Sequence, residues 1–274
     1  MESCVVPRAS DVSAFDSIAD SYDETFTETF IGRAQRRQVW EVTDRLFQPG
    51  DRVLEINCGT GVDALHLAQR GIRVLACDSS SRMVERARWR VESAGFEHAV
   101  DLRILRTEAI AQLGAEGPFD GVLSNFAGLN CIQDLSSAAQ NIARLLKPRG
   151  KALICLFGSR CFWEIVWHLA HANSSKAFRR FRRGMTRAHL GDGTSVHVQY
   201  PTVRQVRRIF DPHLKLKAWK GVGIAVPPSY LGFLPARFPG CFRAAERVDS
   251  RVGHCPGIRG WADHVLLTFE KGQV

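Results

Sequence analysis

The chain has 274 residues, of which 45% are hydrophobic, so it can bury the core of one large domain. It contains no run of 18 or more apolar residues, and its start, "MESCVVPRASDVSAF", lacks the basic and apolar regions of a secretory signal, so neither a transmembrane helix nor export is expected. The formal net charge of +9 is compatible with an anionic partner, or simply with an arginine-rich composition.

Eight cysteines are scattered along the chain without any CxxC motif, and several lie inside apolar runs such as "VLACD" and "ALICLF". This distribution predicts buried free thiols in a reducing cytoplasm rather than a disulfide framework. Cys241, His254, Cys255 and His264 could be combined into a zinc site, but their spacing matches no zinc pattern, and we predict no metal.

The first half of the chain alternates between strand and helix patterns. Residues 10–47 are predicted to be helical, and "PGD" ends that region. Five apolar strands follow: "RVLEIN", "IRVLACD", "VDLRIL", "FDGVLSN" and "KALICLFG". Helices are predicted between them at "GVDALHLAQRG", "SSRMVERARWRVESAG" and "LSSAAQNIARLLKPRG". This order predicts a parallel sheet covered on both faces, with right-handed connections.

The alternation breaks after Gly158. Residues 159–200 are predicted to hold an aromatic helix, "CFWEIVWHLAHA", a basic segment within 176–187 and a hairpin across "GDG". A helix, "TVRQVRRIF", and a strand, "HLKLKAWKG", come next. The following stretch, "AVPPSYLGFLPARFPG", contains four prolines, which argue against regular helix through most of it. The last predicted strand is "ADHVLLTFEK".

The stretch "VLEINCGTG", residues 53–61, joins the first strand to the first helix of the repeat through a glycine turn. Such a turn lets a ligand approach the backbone at the carboxyl edge of a sheet. The turn lacks both G-x-G-x-x-G and Gly-Lys-Ser/Thr, so a pyrophosphate is not expected. Asp78 ends the second strand, where a carboxylate can accept ribose hydroxyls, whereas Glu55 suits a cationic ligand. S-Adenosylmethionine combines a ribose, a positive charge and no phosphate.

Four motifs resemble those of class I S-adenosylmethionine-dependent methyltransferases: "VLEINCGTG", "VLACDSSSRMVERAR", "FDGVLSN" and "ARLLKPRGKAL". The resemblance is closest to the type 11 group, which includes the ubiquinone/menaquinone-biosynthesis methyltransferases, and "FDSIADSYDETF" resembles that group's N-terminal helix. It covers roughly residues 12–157 and, weakly, the last two strands. In the usual loop, D-x-G-C-G-x-G, Glu55 here replaces the acid and Asn57 the first glycine, and Asn tolerates positive φ.

The resemblance implies an α/β fold with a doubly wound, seven-stranded, mainly parallel sheet whose last strand is antiparallel. We therefore expect one Rossmann-like methyltransferase domain over residues 1–274, with insertions after strands five and six. Within it we expect an N-terminal helical cap (10–47), a substrate-side insertion (159–200) and a proline-rich lid insertion (225–260).

The resemblance also implies a set of residues that bind S-adenosylmethionine. Those framing its methionine part would be Glu55, Asn57, Cys58, Gly59 and Gly61, with Tyr22 and Arg33 closing over its carboxylate. Asp78 would bind the ribose, Ser79 and Met83 would flank the adenine, Glu108 would lie near the adenine amino group, and Asn125 and Phe126 would lie beside the sulfonium. Purely structural roles stay open: glycine packing, a helix N-cap for Asp78, a core position for Tyr22 and a solvated face for Arg33.

The acceptor side is less specific in sequence. His168 and His197 are candidate general bases, together with His171, and Tyr230 is a candidate to orient the acceptor from the lid. Aromatic residues crowd both insertions, which indicates a small but partly apolar metabolite as substrate. Methylation on O, N or C is open at this level.

The basic segment 176–187 supports other interpretations. It contains Lys176, Arg179, Arg180, Arg182, Arg183 and Arg187, interleaved with Phe178 and Phe181. It could be a solvated face, lie on an anionic membrane, or bind nucleic acid in an RNA or DNA methyltransferase. Against base methylation, the fourth strand ends in "SNFAGLN" and not in an Asn/Asp-Pro-Pro motif. A non-catalytic protein that binds the cofactor is the third alternative to the cytoplasmic small-molecule enzyme that we favour.

Overall fold

The computed structural model describes residues 10–182, 184–190 and 193–273. Its strands are β1 (Arg52–Ile56), β2 (Arg73–Asp78), β3 (Val100–Ile104), β4 (Phe119–Ser124), β5 (Leu146–Phe157), β6 (Thr186–His189), β7 (Ser195–Val198), β8 (Leu214–Val222) and β9 (His264–Lys271). Its α-helices are α1 (Ser10–Ile18), α2 (Phe30–Leu46), α3 (Val62–Gln69), α4 (Ser81–Ser93), α5 (Leu135–Leu145), α6 (Phe162–Ala170), α7 (Ser174–Ala177), α8 (Val203–Phe210), α9 (Phe233–Arg237) and α10 (Pro239–Val252).

Seven strands form one sheet in the order β3-β2-β1-β4-β5-β9-β8. Strands β1 to β5 pair in parallel, and β9 is antiparallel to both of its neighbours, which confirms the predicted fold class. The apolar strands are continuous because both faces are covered: Leu54 and Ile56 belong to one core cluster and Val53 to the other. The predicted helix after β4 was too long, because Leu146 already pairs with Phe119 of β4.

The N-terminal helices close over the glycine turn between β1 and α3. A π-helical turn (Asp23–Thr27) separates α1 from α2, and α2 begins where the Thr29 hydroxyl accepts a hydrogen bond from the Gly32 N–H. In the turn, Asp23 accepts hydrogen bonds from the Thr60 hydroxyl, at 2.7 Å, and from Arg90. A buried carboxylate therefore ties the cap to the loop that it covers.

The insertion after β5 carries α6, α7 and the antiparallel hairpin β6–β7, as the aromatic helix and "GDG" predicted. Gly191 and Asp192 of that turn, and Arg183 of the basic segment, lie outside the described residues. The basic segment is not one solvated helix. The buried Glu164 carboxylate accepts two 2.8 Å hydrogen bonds from Arg179 and a third from Arg180, and Arg180 also donates to Asp263 at 2.7 Å. These alternating charges fasten the insertion to the start of β9.

The stretch after β8 is more regular than the expected proline-rich loop, because α9 begins at Phe233, although residues 225–232 contain no α-helix. It contains α9 and α10, because Pro235 lies in the first turn of α9 and Pro239 is the first residue of α10, where a missing N–H breaks no helical hydrogen bond. The buried Asp249 carboxylate of α10 accepts backbone N–H groups of residues 224–226. Both prolines are therefore compatible with helix at the positions they occupy.

Among the described residues, no helix combines the length and the apolar character needed to cross a bilayer. Cys58, Cys77, Cys155 and Cys161 are free and buried, and the apolar runs predicted this for Cys77 and Cys155.

Replacing Arg180 should destabilise the fold strongly. The Arg180→Met substitution leaves Glu164 and Asp263 buried with fewer cationic partners, so we expect a loss of about 3–5 kcal/mol in the free energy of unfolding, measured in urea. The matched control is Arg182→Met, which changes an exposed arginine of the same segment and should alter stability by less than about 0.5 kcal/mol. Similar midpoints for Arg180→Met and the wild type would contradict this role of Arg180.

Candidate cofactor and acceptor site

A cavity of about 770 Å³ lies at the carboxyl edge of the parallel strands. It reaches from the glycine turn after β1 and the end of β2, past the loop after β4, to the start of β9, and the N-terminal helices and both insertions enclose it. Its size suits a cofactor together with a small substrate. The sequence placed most of its candidate residues at this edge.

The glycine turn meets two different demands. Asn57, Gly59 and Gly61 all have left-handed φ angles, of 59°, 53° and 74°. A Cβ on Gly61 would lie 2.7 Å from the Cβ of Ala87, so Gly61 is required where α3 packs on α4. A Cβ on Gly59 would meet no atom within 4 Å, and Gly59 lines the cavity. Gly61 therefore serves packing, whereas Gly59 leaves room for a ligand against the backbone.

Asp78 sits at the end of β2 and holds this turn. Its two carboxylate oxygens accept hydrogen bonds from the N–H groups of Gly59 and Ser80, both at 2.9 Å. Burial raises the pKa of Asp78, while the backbone donors work against that rise. Each oxygen keeps a further lone pair, so the carboxylate could also accept two hydroxyl groups from the cavity. The N-cap alternative is not supported, because Ser80 caps α4.

Other predicted residues around the turn divide into lining and supporting ones. Asn57 and Cys58 line the cavity, and the Asn57 amide donates to the Thr107 hydroxyl at 3.0 Å. Glu55 is not among the lining residues: it is buried beneath the turn, one of its oxygens has no hydrogen-bond partner, and burial raises its pKa well above the usual value. Glu55 is therefore a supporting residue of the turn and not a residue that lines the cavity.

Ser79, Met83 and Glu108 line the same end of the cavity as Asp78. Met83 is buried and supplies an apolar surface, and Glu108 is exposed at the rim. This is a plausible composition for a flat heterocycle with polar edges, and it is the end that the sequence assigned to adenine.

Asn125 and Phe126 follow β4 and face the middle of the cavity. The side-chain amide of Asn125 donates a hydrogen bond to the Asp63 carboxylate at 2.9 Å, and its Oδ1 atom accepts a hydrogen bond from the Phe126 N–H. Phe126 and Ala127 have φ angles of 46° and 67°, a left-handed pair without glycine that costs backbone strain. This strained backbone directs the Phe126 ring into the cavity, where the ring contacts Phe26.

Two residues were expected to close over the cofactor carboxylate. Tyr22 lines the cavity, and burial raises the pKa of its hydroxyl to about 12, so it stays a neutral donor. Arg33 is misplaced by the prediction: its side chain is exposed and donates to the Glu28 carbonyl. Arg36, one turn further along α2, lines the cavity instead, is paired with Asp63 and lies 4.7 Å over the Phe126 ring.

The predicted histidines do not line the cavity. His168 is stacked on Tyr230 at 6.0 Å, and His171 is exposed on the same helix, where its ring contacts the Trp167 carbonyl. His197 points outward because strand side chains alternate: its neighbours Val196 and Val198 face the cavity. Of the three proposed catalytic side chains, Tyr230 alone lines the cavity, and it does so at the mouth, where it is 44% exposed.

Besides Arg36, His264 is a site residue that sequence reasoning missed, since the sequence offered it only as a conceivable zinc ligand. It lines the cavity and is only 3% exposed, and burial lowers its pKa. Its Nδ1 atom has no hydrogen-bond partner and lies 3.4 Å from the Asp263 carboxylate. The signal that could have found it is strand direction: because β9 is antiparallel, its first residue lies beside the last residue of β5, Phe157, at the edge that holds the site.

The remaining walls are mainly apolar, although Arg179, Arg180 and His189 also line the cavity. They come from α1, the segment after β4 and the hairpin of the first insertion, and include Phe15, Ile18, Ile132, Leu190, Val196 and Val198. Among the described residues, no group of three or more His, Cys, Asp or Glu side chains could hold a metal ion. The cavity thus has a polar end at the glycine turn and an apolar chamber under the insertions.

The two glycines should respond differently to alanine. Gly61→Ala should lower the free energy of unfolding by about 2–5 kcal/mol, because the added methyl overlaps Ala87 and alanine is also strained at the left-handed φ of 74°. Gly59→Ala meets no atom, so its cost should be limited to about 1–2 kcal/mol of left-handed strain, and its main effect should be weaker ligand binding. Urea unfolding measures the loss of stability, and calorimetric titration measures the loss of ligand binding. If both variants were equally stable and lost binding equally, Gly61 would not be a packing residue and Gly59 would not be a ligand-binding one.

The chain is similar to known methyltransferases. Residues 53–150 match the family model described as "Methyltransferase domain". Among curated proteins, the chain is 32% identical over 156 residues to a demethylmenaquinone methyltransferase of Symbiobacterium thermophilum, covering 56% of this chain and 60% of that protein. It is 30% identical to one of Renibacterium salmoninarum, over 57% of this chain and 62% of that protein. The chain thus spans about three fifths of the length of these relatives.

Solved structures share the fold. One of a SAM-dependent methyltransferase from Methanosarcina mazei aligns with a TM-score of 0.59 at 17% identity, over 85% of this chain and 98% of that one. The [4+2]-cyclase SpnF aligns with a TM-score of 0.57 at 19% identity, over 87% of this chain and 82% of that one. The family model and the relatives therefore confirm the resemblance of this sequence to class I S-adenosylmethionine-dependent methyltransferases of the type 11 group, whereas the solved structures, at 17% and 19% identity, show the shared fold alone.

Proposed function

We propose that this chain is a methyltransferase that binds S-adenosylmethionine and methylates a small, partly apolar metabolite. One observation carries the proposal: a single cavity joins the Asp78-held glycine turn to an apolar chamber. The similarity to demethylmenaquinone methyltransferases supports an apolar acceptor of quinone-like size.

The residues present fit the cofactor. The open space beside Gly59 suits a ligand pressed against the backbone, and Asp78 keeps acceptor capacity for ribose hydroxyls. Arg36, whose buried Nε has no hydrogen-bond partner, and the neutral Tyr22 hydroxyl would bind the methionine carboxylate. Ser79, Met83 and Glu108 would surround the adenine.

S-Adenosylmethionine, when bound, supplies a methyl group on a positively charged sulfur. The chain's own task is to orient the acceptor and exclude water. The rings of Phe26 and Phe126, packed edge to face at 5.0 Å, both line the cavity and would help to exclude water from it. Tyr230 would contact the acceptor at the mouth of the cavity.

His264 would take the proton if the acceptor is a hydroxyl group. Asp263, beside Nδ1, favours the tautomer that carries its proton there, which leaves Nε2 as the basic nitrogen. Burial lowers the pKa of His264 more than the neighbouring Asp263 carboxylate raises it, and the positive charge of Arg180 adds to the lowering, so the ring is neutral and able to accept a proton near pH 7.

The alternatives lack such support. Two of the arginines expected to hold nucleic-acid phosphates, Arg179 and Arg180, are instead bound to Glu164 and Asp263. The likeness to a cyclase shows that fold alone does not decide the reaction, and a non-catalytic protein that binds the cofactor is an outcome of the assays below. We place the enzyme in the cytoplasm, where its free thiols would stay reduced.

Asp78→Ala should weaken binding of S-adenosylhomocysteine by about 2–3 kcal/mol, or about 30- to 150-fold, because two ligand hydroxyls lose their acceptor. Since burial raises the pKa of Asp78, wild-type affinity should fall as the pH is lowered through that pKa, and the variant should lose this dependence. Calorimetry tests both, with Asp101→Ala, an exposed carboxylate of β3, as the control. Unchanged affinity in a folded Asp78→Ala variant would sink the assignment.

The activity assay supplies methyl-labelled cofactor with a panel of apolar phenols and quinols. For an accepted hydroxyl substrate, His264→Phe should lower kcat by about a hundredfold or more and remove the loss of rate below the pKa of His264, while S-adenosylhomocysteine binds as before. His197→Phe, on the outer side of β7, is the control. If His264→Phe keeps its kcat, proton transfer does not run through it. Tight cofactor binding without any methylated product would favour the non-catalytic alternative.

A further inference from the structure

Helix α6 exposes an apolar stripe. Phe162, Val166 and Leu169 are spaced by four and three residues, so they lie on one face, and they are 49%, 46% and 48% exposed. A solvent-facing stripe of large apolar side chains on an ordered helix is unusual for a face that contacts only water.

Other residues of α6, away from the stripe, pack the helix against the rest of the protein. Trp163 contacts Phe242 of α10 at 6.3 Å, and Trp167 contacts Phe233 of α9 at 5.5 Å, between ring centroids. The stripe is therefore not required to hold the two insertions together.

Further apolar side chains extend this surface. Of the 13 exposed large hydrophobic side chains among the described residues, ten lie in the two insertions. We call the following group the docking face: Phe162, Val166, Leu169, Phe178 and Phe181. It adjoins the cavity mouth, because Tyr230 both lines the cavity and stacks on His168 of α6.

The charge around the docking face is one-sided. Exposed cations of the described insertions include Arg160, Lys176, Arg182, Arg187, Arg237 and Arg243. The acids there are neutralised: Glu164 is buried with Arg179, Glu246 pairs with Arg37, and Asp249 binds backbone N–H groups. An exposed apolar surface with a positive, uncompensated rim complements an anionic lipid bilayer.

We propose that the docking face binds the surface of an anionic membrane, with the apolar side chains entering the headgroup region and the basic rim on the phosphates. Tyr230 would then stand at an entrance that opens toward the bilayer, so an apolar acceptor could enter the cavity without crossing water. This second part rests on the proposed function, whereas membrane binding itself does not.

The test is flotation of the full chain with two kinds of vesicle, phosphatidylcholine alone and phosphatidylcholine mixed with phosphatidylglycerol, without cofactor or acceptor. The wild type should float with the mixed vesicles at low salt and be released as salt rises. The triple variant Phe162→Ser/Val166→Ser/Leu169→Ser should bind at least about tenfold more weakly. Lys176→Gln/Arg182→Gln should lose part of the preference for phosphatidylglycerol.

The matched control is Trp89→Ser/Ile104→Ser, which removes side chains 65% and 63% exposed on α4 and β3, toward the other edge of the sheet. It should float like the wild type. Failure of the wild type to float, or equal losses in the control and the triple variant, would overturn the proposal. The proposal would also be overturned if the wild type bound no vesicles but self-associated in solution, and if the triple variant lost that self-association. Because calorimetry with S-adenosylhomocysteine is independent of vesicles, failure of the proposed function would be recognised separately.

Discussion

The carboxylate of Asp78 is the contact on which the site depends. It joins the end of β2 to the Gly59 N–H in the turn after β1, and so fixes the backbone between two neighbouring parallel strands. The cost of burying this acid is offset by backbone donors that arrive only when the sheet is formed. The same atoms that order the loop also present acceptor capacity to a ligand, so folding and ligand recognition share one group.

A second set of buried charges organises the acceptor side. Arg180 lies between Glu164 and Asp263 and over the rings of Phe157 and Tyr200, and so connects the inserted helix to the start of β9. The hairpin wall, the proposed base and the cavity mouth are held by this group of contacts rather than by sheet hydrogen bonds alone. Apolar walls and a neutral histidine can then coexist with two arginines beside the cavity.

Much of the fold could be predicted because each strand is a short apolar run and each turn carries a glycine or an acid at a defined spacing, as at Gly59 and Asp78. The rest depends on tertiary geometry. Arg33 and Arg36 lie one turn apart, and packing of α2 against Asp63 decides which enters the cavity. His264 becomes a site residue through the antiparallel direction of β9, and the prolines of α9 and α10 are tolerated only at their positions in the first turns.

Glu164, Arg180 and Asp263 are linked across about a hundred residues of sequence. The insertion that walls the acceptor chamber is therefore anchored by a residue that lies outside the insertion. A chimera that received only residues 159–200 from another protein of this fold would import a wall without the carboxylate that anchors it. Exchange of substrate preference by grafting would therefore require the donor's counterpart of Asp263 as well. His264, the next residue after Asp263, would then face a different cavity wall. The shape of the pocket and the pKa of its histidine would therefore change together.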